Sequence, residues 1–153
     1  MKKLVIFSGA GISQESGLPT FRGDGGIWEE IDAEKVADYK AWYCGRRSDC
    51  KERRQVVLDF FNPIRRRILE CEPNEAHRII ALLEEYYEVT VVTQNGDDYH
   101  ERAGSTKVIH LHGEALKNTS TLRPYIPLAI DPENPDIYIG DKAPDGSQIR
   151  PYV

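Results

Sequence analysis

The sequence has only three cysteines among its 153 residues, Cys44, Cys50 and Cys71. No two of them are spaced as Cys-x-x-Cys and none lies beyond residue 71, which excludes a four-cysteine zinc site within the chain. Free thiols are typical of the reducing cytoplasm. We therefore expect three unpaired cysteines, a cytoplasmic location and no bound metal.

Long apolar runs and an excess of positive charge are also missing. No apolar stretch approaches the roughly 20 residues that a membrane-spanning helix needs. The 25 acidic residues outnumber the 20 lysines and arginines, and the net charge of −5 argues against general binding to nucleic acid or to acidic membranes. The length and the 40% hydrophobic content predict one folded domain with a core.

A glycine-containing turn follows the first apolar stretch. Residues 4–7 predict a buried strand, and the loop 9–23 begins directly behind it with Gly9, Ala10 and Gly11. A strand that ends in small residues exposes backbone N–H groups, and the N-terminus of a following helix adds partial positive charge. We therefore predict that these three residues bind the phosphates of a dinucleotide.

The glycines have an alternative role, in which they serve only the close packing of a strand on a helix. This alternative is open because Gln14 stands where a standard dinucleotide motif has its third glycine. Arg22, however, offers a fork of donors for phosphate or ribose oxygens. Phe21 can shield a reactive ribose from water. These two residues favour dinucleotide binding.

A second polar cluster follows the predicted strand 88–93. Gln94 and Asn95 offer amide groups to ribose hydroxyls and to an ordered water, and Asp97 can accept a hydrogen bond from a carboxamide. Ligands of open α/β sheets lie outside the carboxyl ends of the strands. Taken alone, the cluster is better interpreted as a turn that caps the next helix through Asp97 or Asp98.

A third cluster ends the next predicted strand with two histidines. His110 and His112 face the same side of an alternating strand, so the pattern itself does not choose between them. His112 precedes a glycine at the strand end and is better placed to reach a ligand as a general base. A purely structural role is the alternative for any single histidine, and we assign it to His77 and His100.

The predicted elements alternate along the chain. Strands are predicted at 3–7, 88–93 and 107–111, and helices at 33–42, 53–61, 63–71, from 73 onwards and at 99–103. Asn62 and Pro63 predict a cap and a first helical position, hence two helices there. The alternation indicates an α/β fold with a Rossmann-like parallel sheet. Residues 114–149, rich in proline, predict a small inserted module of loops and short strands, and 150–153 a strand that returns to the sheet.

In this order the three clusters resemble the sirtuins (Sir2 family), the NAD-dependent protein deacylases. The matching segments are 9–23, 93–105 and 111–113, within a resemblance that covers most of residues 3–113. It implies that NAD lies across the strand ends, with its pyrophosphate on residues 9–11 near Arg22. Asp97 would hold the nicotinamide carboxamide.

The resemblance also implies a reaction. An acetyl-lysine oxygen would attack the ribose carbon as nicotinamide leaves, and the acyl group would pass to ADP-ribose. His112 would act as general base, while Gln94 and Asn95 would orient the ribose and a water molecule. The partner implied is an acyl-lysine protein, and the catalytic residues implied are His112 and Asn95.

The chain departs from the family pattern at several places. Gly96 replaces a bulkier aliphatic residue beside the nicotinamide pocket, which implies looser placement of the cofactor. The 114–149 module has no cysteine and resembles a bacterial zinc-free version. Phe61 and Ile64 occupy positions that are Tyr and Arg in sirtuins selective for acidic acyl groups, so we expect acetyl or apolar acyl groups.

Sirtuins continue past an Arg-Pro-x-Val segment that matches residues 150–153, so the chain resembles the amino-terminal three-fifths of the family. We expect an open sheet edge there that self-associates or accepts a complementing fragment. Two alternatives to a deacylase stay open. One is a sirtuin-like NAD hydrolase that uses Asn95 and His112 without an acyl-lysine, and the other is an inactive NAD-binding fragment.

Overall fold

The computed structural model describes residues 1–153. Its centre is a three-stranded parallel sheet in the order β1 (Lys2–Ser8), β2 (Tyr87–Thr93) and β3 (Val108–His110). Ser8 is in register with Thr93, which is in register with His110. The three strands therefore end side by side at one edge, and the predicted α/β fold with a parallel sheet is confirmed.

The chain also contains five α-helices and three short 3₁₀ turns. The helices are α1 (Ala33–Val36), α2 (Tyr39–Trp42), α3 (Cys50–Glu70), α4 (Glu75–Leu82) and α5 (Tyr99–Arg102); the 3₁₀ turns are Ala10–Ser13, Ile27–Glu29 and Leu83–Glu85. The helix predicted at 33–42 is divided because the Asp38 side chain accepts a hydrogen bond from the Lys40 N–H and starts α2 anew. None of the helices combines the length and the apolar character needed to cross a membrane.

Helix α3 runs without a break through Pro63, so the prediction of two helices there was wrong. Asn62 does not cap a helix. Its side-chain amide donates to the Ile137 carbonyl at 2.9 Å, and its carbonyl accepts from the Ile137 N–H at 3.0 Å. Leu58 and Ile68, on either side of the proline, are buried. These tertiary contacts outweigh the one helix hydrogen bond that proline removes.

Residues beyond the parallel sheet form a second, antiparallel sheet of β4 (Glu114–Ser120) and β5 (Ile149–Tyr152). Strand β5 crosses the predicted boundary between 149 and 150, so its pairing joins residues 150–152 to the module and not to the parallel sheet. The 114–149 module contacts α2. Trp42 Nε1 donates to Thr121 Oγ1 at 3.0 Å, and Ile137 packs in the same apolar cluster as Trp42.

The cysteines differ from expectation. Cys44 and Cys50 form a disulfide across the turn that joins α2 to α3, with their Cα atoms 5.6 Å apart, while Cys71 is buried and free. The expectation of three unpaired thiols was therefore wrong. The backbone bond from the Arg47 N–H to the Cys44 carbonyl folds this turn back on itself, and a six-residue separation alone carries no sign of such a turn.

Helix α4 begins at Glu75, two residues after the predicted start at residue 73, and its apolar residues are not uniformly buried. Ala76 and Ile79 are exposed and His77 is fully buried. The reason lies in the cap: Asn74 accepts from the Ala76 N–H and also donates to the Ile12 carbonyl at 2.7 Å. This bond to the glycine-turn segment fixes the rotation of α4 and turns His77 inward.

The parallel sheet is covered on one face only. Val89 and Val91 are buried on the helix-covered face, whereas Val5, Phe7 and Ile109 on the other face are 65%, 64% and 46% exposed. Apolar side chains that alternate inward and outward on one strand indicate a sheet that is built for burial on both faces.

Arg65 is a buried cation without hydrogen bonds. It is fully buried in α3, and none of its three guanidinium nitrogens has a partner. Burial lowers the pKa of Arg65 to about 10, although the charge of Asp136 opposes this change. Because an unpaired buried charge is costly, we expect Arg65→Met to leave the free energy of unfolding unchanged or to raise it by about 1–2 kcal/mol.

Urea denaturation of this variant checks the prediction. Arg66→Met serves as the matched control, since the neighbouring Arg66 is half exposed and pairs with Asp136; removing that pair should cost at most about 1 kcal/mol. A loss of more than about 2 kcal/mol for Arg65→Met would contradict the interpretation of this arginine as an unpaired charge.

Candidate active site

A cleft of about 1560 Å³ opens at the carboxyl ends of the parallel strands. Its lining includes all but one of the predicted site residues: Ala10, Gly11, Phe21, Arg22, Gln94, Asn95, Asp97 and His112. The exception, Gly9, lies directly beside it, since a Cβ added to Gly9 would be 3.7 Å from Gln94 Oε1. The fold therefore brings the three sequence clusters to one place.

The glycine turn leaves backbone donors open. Gly9 is extended, with φ −139° and ψ −172°, and its N–H donates no hydrogen bond within the protein. Ala10 and Gly11 begin a 3₁₀ turn, whose first N–H groups have no acceptor within the turn. A Cβ added to Gly11 would meet nothing within 4 Å. Small side chains thus keep the space before these N–H groups free.

A buried hydrogen-bonded chain connects this turn to the second cluster. The Asn95 side-chain amide donates to Ser13 Oγ at 3.1 Å, and the Ser13 hydroxyl donates to Asp97 Oδ2 at 2.9 Å. The three residues are 4%, 2% and 5% exposed, respectively. Ser13 was missed by sequence reasoning, because a serine two residues behind a glycine has no pattern that reveals what its hydroxyl will meet.

The position of Asp97 is compatible with both interpretations that the sequence left open. It lines the cleft, and its Oδ1 also accepts from the Tyr99 N–H at the start of α5, at 3.2 Å. Burial raises the pKa of Asp97, and the hydrogen bonds from Ser13 and from the Tyr99 N–H oppose this change. The bond from the first residue of α5 therefore holds the carboxyl group in the cleft.

The two strand-end histidines differ in what they contact. His112 lies just beyond β3, exposed at the cleft, and its ring has no hydrogen bond to protein. The His110 side chain is 7% exposed, and its ring nitrogens lie close to the Asn95 carbonyl and to Glu101. Only the His112 ring is free to meet a ligand.

His77 and His100 are buried beneath the cleft, with ring centroids 4.9 Å apart. Ser8 donates its hydroxyl proton to Thr93 Oγ1 at 2.9 Å, so His100 Nε2, also 2.9 Å from Ser8 Oγ, is the donor in that contact. Thr93 Oγ1 in turn accepts from the Asn95 N–H at 3.1 Å. These contacts link the buried histidine pair to the cleft floor.

Acid should destabilise the fold through His77. Burial, with smaller contributions from the charges of His100 and Arg78, lowers the pKa of His77 from 6.5 to about 4. The unfolded chain therefore takes up this proton first as the pH falls below 6.5. We expect the free energy of unfolding to decrease by about 3 kcal/mol between pH 6.5 and 4 on account of His77.

The variant His77→Gln isolates this effect. His77 Nδ1 accepts from the Asn74 N–H at 3.3 Å in a capping box, and glutamine at that position keeps the acceptor without the titration. Chemical denaturation at several pH values should show a flatter acid limb for this variant. Parallel curves for variant and parent would show that His77 is not the group that titrates.

The opposite side of the cleft is aromatic and aliphatic. Phe21 lies 5.2 Å from Trp28 between ring centroids, and Trp28 stacks on Phe60 at 5.6 Å. Phe61 and Ile64 are half-buried and line the same side. An apolar wall therefore faces the polar floor.

One cluster has the spacing of metal ligands. Donor atoms of Glu101, His110 and Glu114 lie within 4.8 Å of one another. Both ring nitrogens of His110 are already hydrogen-bonded, however, and Glu114 pairs with Lys117 at 2.9 Å. The contacts present account for this cluster as a hydrogen-bonded group.

The sequence and the fold are similar to known proteins of one family. Residues 9–123 match the model of the Sir2 family. An NAD-dependent protein deacylase of Bacteroides thetaiotaomicron is 43% identical over the whole chain, and one of Helicobacter pylori strain J99 is 47% identical, again over the whole chain. The chain spans 63% and 61% of the length of these two relatives.

Solved structures agree with this. A Sir2 homologue mutant in complex with ADP-ribose superposes with a TM-score of 0.74 and 33% identity over 96% of this chain and 56% of that one. A complex of a Sir2 homologue with NAD superposes with a TM-score of 0.65 and 32% identity, over 96% of this chain and 55% of that one. From the glycine turn to the second sheet, the chain belongs to the Sir2 family.

Proposed function

We propose that this chain carries the NAD-binding and catalytic residues of an NAD-dependent protein deacylase. One observation carries the proposal: the buried Asn95–Ser13–Asp97 chain forms the floor of a cleft that also holds the open glycine turn and the exposed His112. The Bacteroides and Helicobacter relatives are named NAD-dependent protein deacylases, which supports the same reaction here.

NAD fits the groups that the cleft presents. The free N–H groups at residues 9–11 suit a pyrophosphate, and the exposed Arg22 at the cleft adds a cation beside it. Each oxygen of Asp97 accepts one hydrogen bond and keeps a further lone pair for a carboxamide N–H. Bound NAD would supply a ribose carbon from which nicotinamide can leave.

The side chains around that carbon would have different roles in the reaction. Asn95, held by Ser13 from one side, orients a ribose hydroxyl or a water, with Gln94 exposed beside it. The His112 ring, free of protein partners, takes the proton of a ribose hydroxyl as general base. Phe21, packed on Trp28, closes the apolar side and keeps water away from the reacting carbon.

The acyl group is expected to be acetyl or another apolar group. Phe61 and Ile64 present no charge to the cleft. The nearby Arg67 is occupied, since its Nε donates to the Gly17 carbonyl at 3.2 Å and its guanidinium pairs with Glu70. A succinyl carboxylate would find no free cation among these residues, and its desolvation would be uncompensated. We propose proteins that carry an acylated lysine as the substrate class. We also propose that the reaction requires no metal.

An uncovered sheet face offers a partner surface other than the open edge expected at residues 150–153, since residues 150–152 pair with β4. Val5, Phe7 and Ile109 form an exposed apolar patch on the parallel sheet, and β1 and β3 are its outer strands. We propose that polypeptide covers this face, either a second copy of the chain or a complementing segment. Sedimentation that shows a stable monomer with no affinity for the remainder of a relative would contradict this.

Nicotinamide release from NAD and an acetyl-lysine peptide tests the function, and His112→Ala is the decisive variant. We expect its rate to fall at least about 100-fold, as is usual when a general base is lost. Its thermal stability should be unchanged, because the ring has no hydrogen bond to protein to lose.

Three outcomes would contradict the proposal. One is an unaltered rate in His112→Ala. A second is NAD loss that is the same with and without peptide, which would make the protein an NAD hydrolase. The third is no release either by the chain or by a chimera that joins it to the remainder of the Helicobacter pylori relative.

A further inference from the structure

His110 has no role in the reaction proposed above, yet both of its ring nitrogens are engaged. It ends β3 with its side chain 7% exposed. Nδ1 lies 2.7 Å from the Asn95 backbone oxygen, and Nε2 lies 2.8 Å from Glu101 Oε1. A carbonyl oxygen and a carboxylate are both acceptors. Both ring nitrogens must therefore carry protons for the two bonds to form, which makes the ring a cation.

The surroundings favour that cation. Burial opposes the charge, but the hydrogen bonds to Glu101 and to the Asn95 carbonyl, with the charges of Glu101 and Glu114, together raise the pKa of His110 above its ordinary value. Burial likewise opposes the charge of Glu101, and the bond from His110 lowers the pKa of that carboxyl. The titratable groups that face the ring are Glu101 and His100 on α5, Asp97 before it, and Glu114 on β4.

His110 is one of three groups that hold Asn95. The Asn95 N–H donates to Thr93 Oγ1, its side-chain amide donates to Ser13 Oγ, and its carbonyl accepts from His110. Only the last contact depends on the proton of a titratable side chain. A neutral ring keeps one proton, and the charged Glu101 attracts it more strongly than a carbonyl does. The Asn95 carbonyl would then face a nitrogen lone pair.

We propose that His110 is a positioning residue, whose doubly protonated ring fixes the Asn95 peptide for nucleotide binding, so that affinity falls when the ring loses a proton. This rests on the proposed NAD site for its consequence in binding. The state of the ring itself is a property of the free protein, so it is tested separately.

The first test uses the free protein. Chains labelled with ¹⁵N-histidine and with ¹³C-carbonyl asparagine are titrated from pH 5 to 9. The signals of His110 and of the Asn95 carbonyl are assigned by their loss in His110→Gln and Asn95→Ala. We expect a doubly protonated His110 at pH 7, and a ¹³C shift of the Asn95 carbonyl that changes with the same midpoint. Glu101→Gln should lower that midpoint, and Glu88→Gln, an exposed glutamate on β2 without an ion pair, should not. The proposal would be overturned by a neutral His110 ring at pH 7, or by an Asn95 carbonyl shift that stays constant while the ring titrates.

The second test measures ADP-ribose affinity by calorimetry over the same pH range. We expect it to weaken about tenfold as the His110 ring titrates. His110→Gln keeps an N–H donor that does not titrate, so the pH dependence should vanish while the ADP-ribose affinity is largely retained. His110→Ala should bind ADP-ribose weakly at every pH. A pH dependence that persists in His110→Gln would overturn the proposal. Absence of any ADP-ribose binding would count against the proposed function, while the carbonyl shift would still decide the role of His110.

Discussion

Replacement of Asn95 by alanine is expected to weaken NAD binding and nicotinamide release together, by about 100-fold. The amide is 4% exposed and donates to Ser13 Oγ, which in turn donates to Asp97. Its loss leaves the serine hydroxyl free to turn and the carboxyl group without a fixed partner. The bond from Ser13 to the Asp97 carboxyl group, which the Asn95 amide holds in place, is a buried bond to a charged group worth about 1.5–3 kcal/mol, and its loss corresponds to the expected effect. Calorimetry measures the NAD affinity, and a nicotinamide-release assay measures the reaction rate.

Asn134→Ala is the matched control, because Asn134 is exposed in a loop that does not line the cleft. It should leave both values unchanged. Asn95→Asp should fail as strongly as Asn95→Ala, since its carboxylate cannot donate to Ser13 and places a second negative charge near Asp97. Normal NAD affinity in either Asn95 variant would show that the buried chain is structural and not part of a nucleotide site.

Gly113→Ala is expected to lower the free energy of unfolding by at least about 3 kcal/mol and the melting temperature by about 10 °C. Gly113 has a φ of +81°, where an L side chain is strained. A Cβ added there would also collide with the Tyr152 carbonyl oxygen and lie 2.8 Å from the Val153 Cα. Both obstacles are backbone, so β5 itself would have to move.

Gly146→Ala separates the two causes. Gly146 has nearly the same φ, +79°, but nothing lies within 4 Å of a Cβ added to it. This control should cost only about 1 kcal/mol, the cost of the left-handed backbone alone. Equal losses for the two variants, measured by thermal and urea denaturation, would show that the close approach of β5 to the His112–Gly113 segment does not constrain the fold.

The strands and the placement of the site were predictable from sequence. Runs of β-branched and apolar residues at 88–93 identify β2 to within one residue, and strand ends in a parallel sheet necessarily meet at one edge. Gly11, Asn95 and His112 each follow such a strand, so their convergence needed no side-chain detail.

What sequence could not predict depends on distant partners. The continuity of α3 through Pro63 rests on Asn62 bonding to Ile137, 75 residues away. Ser13 and Asp97 are 84 residues apart. The bond from His110 to the Asn95 carbonyl depends on the exact course of a loop. No local periodicity encodes such contacts.

We propose above that the glycine turn, the Asn95–Ser13–Asp97 chain and His112 form one NAD site. Its most direct test is a backbone amide NMR titration of the chain with ADP-ribose. The account predicts saturable shifts at residues 9–13, at Asn95 and Asp97 and at His112, with little change at Asn134. Shifts confined to residues outside the cleft, or no shifts at millimolar ADP-ribose, would contradict it.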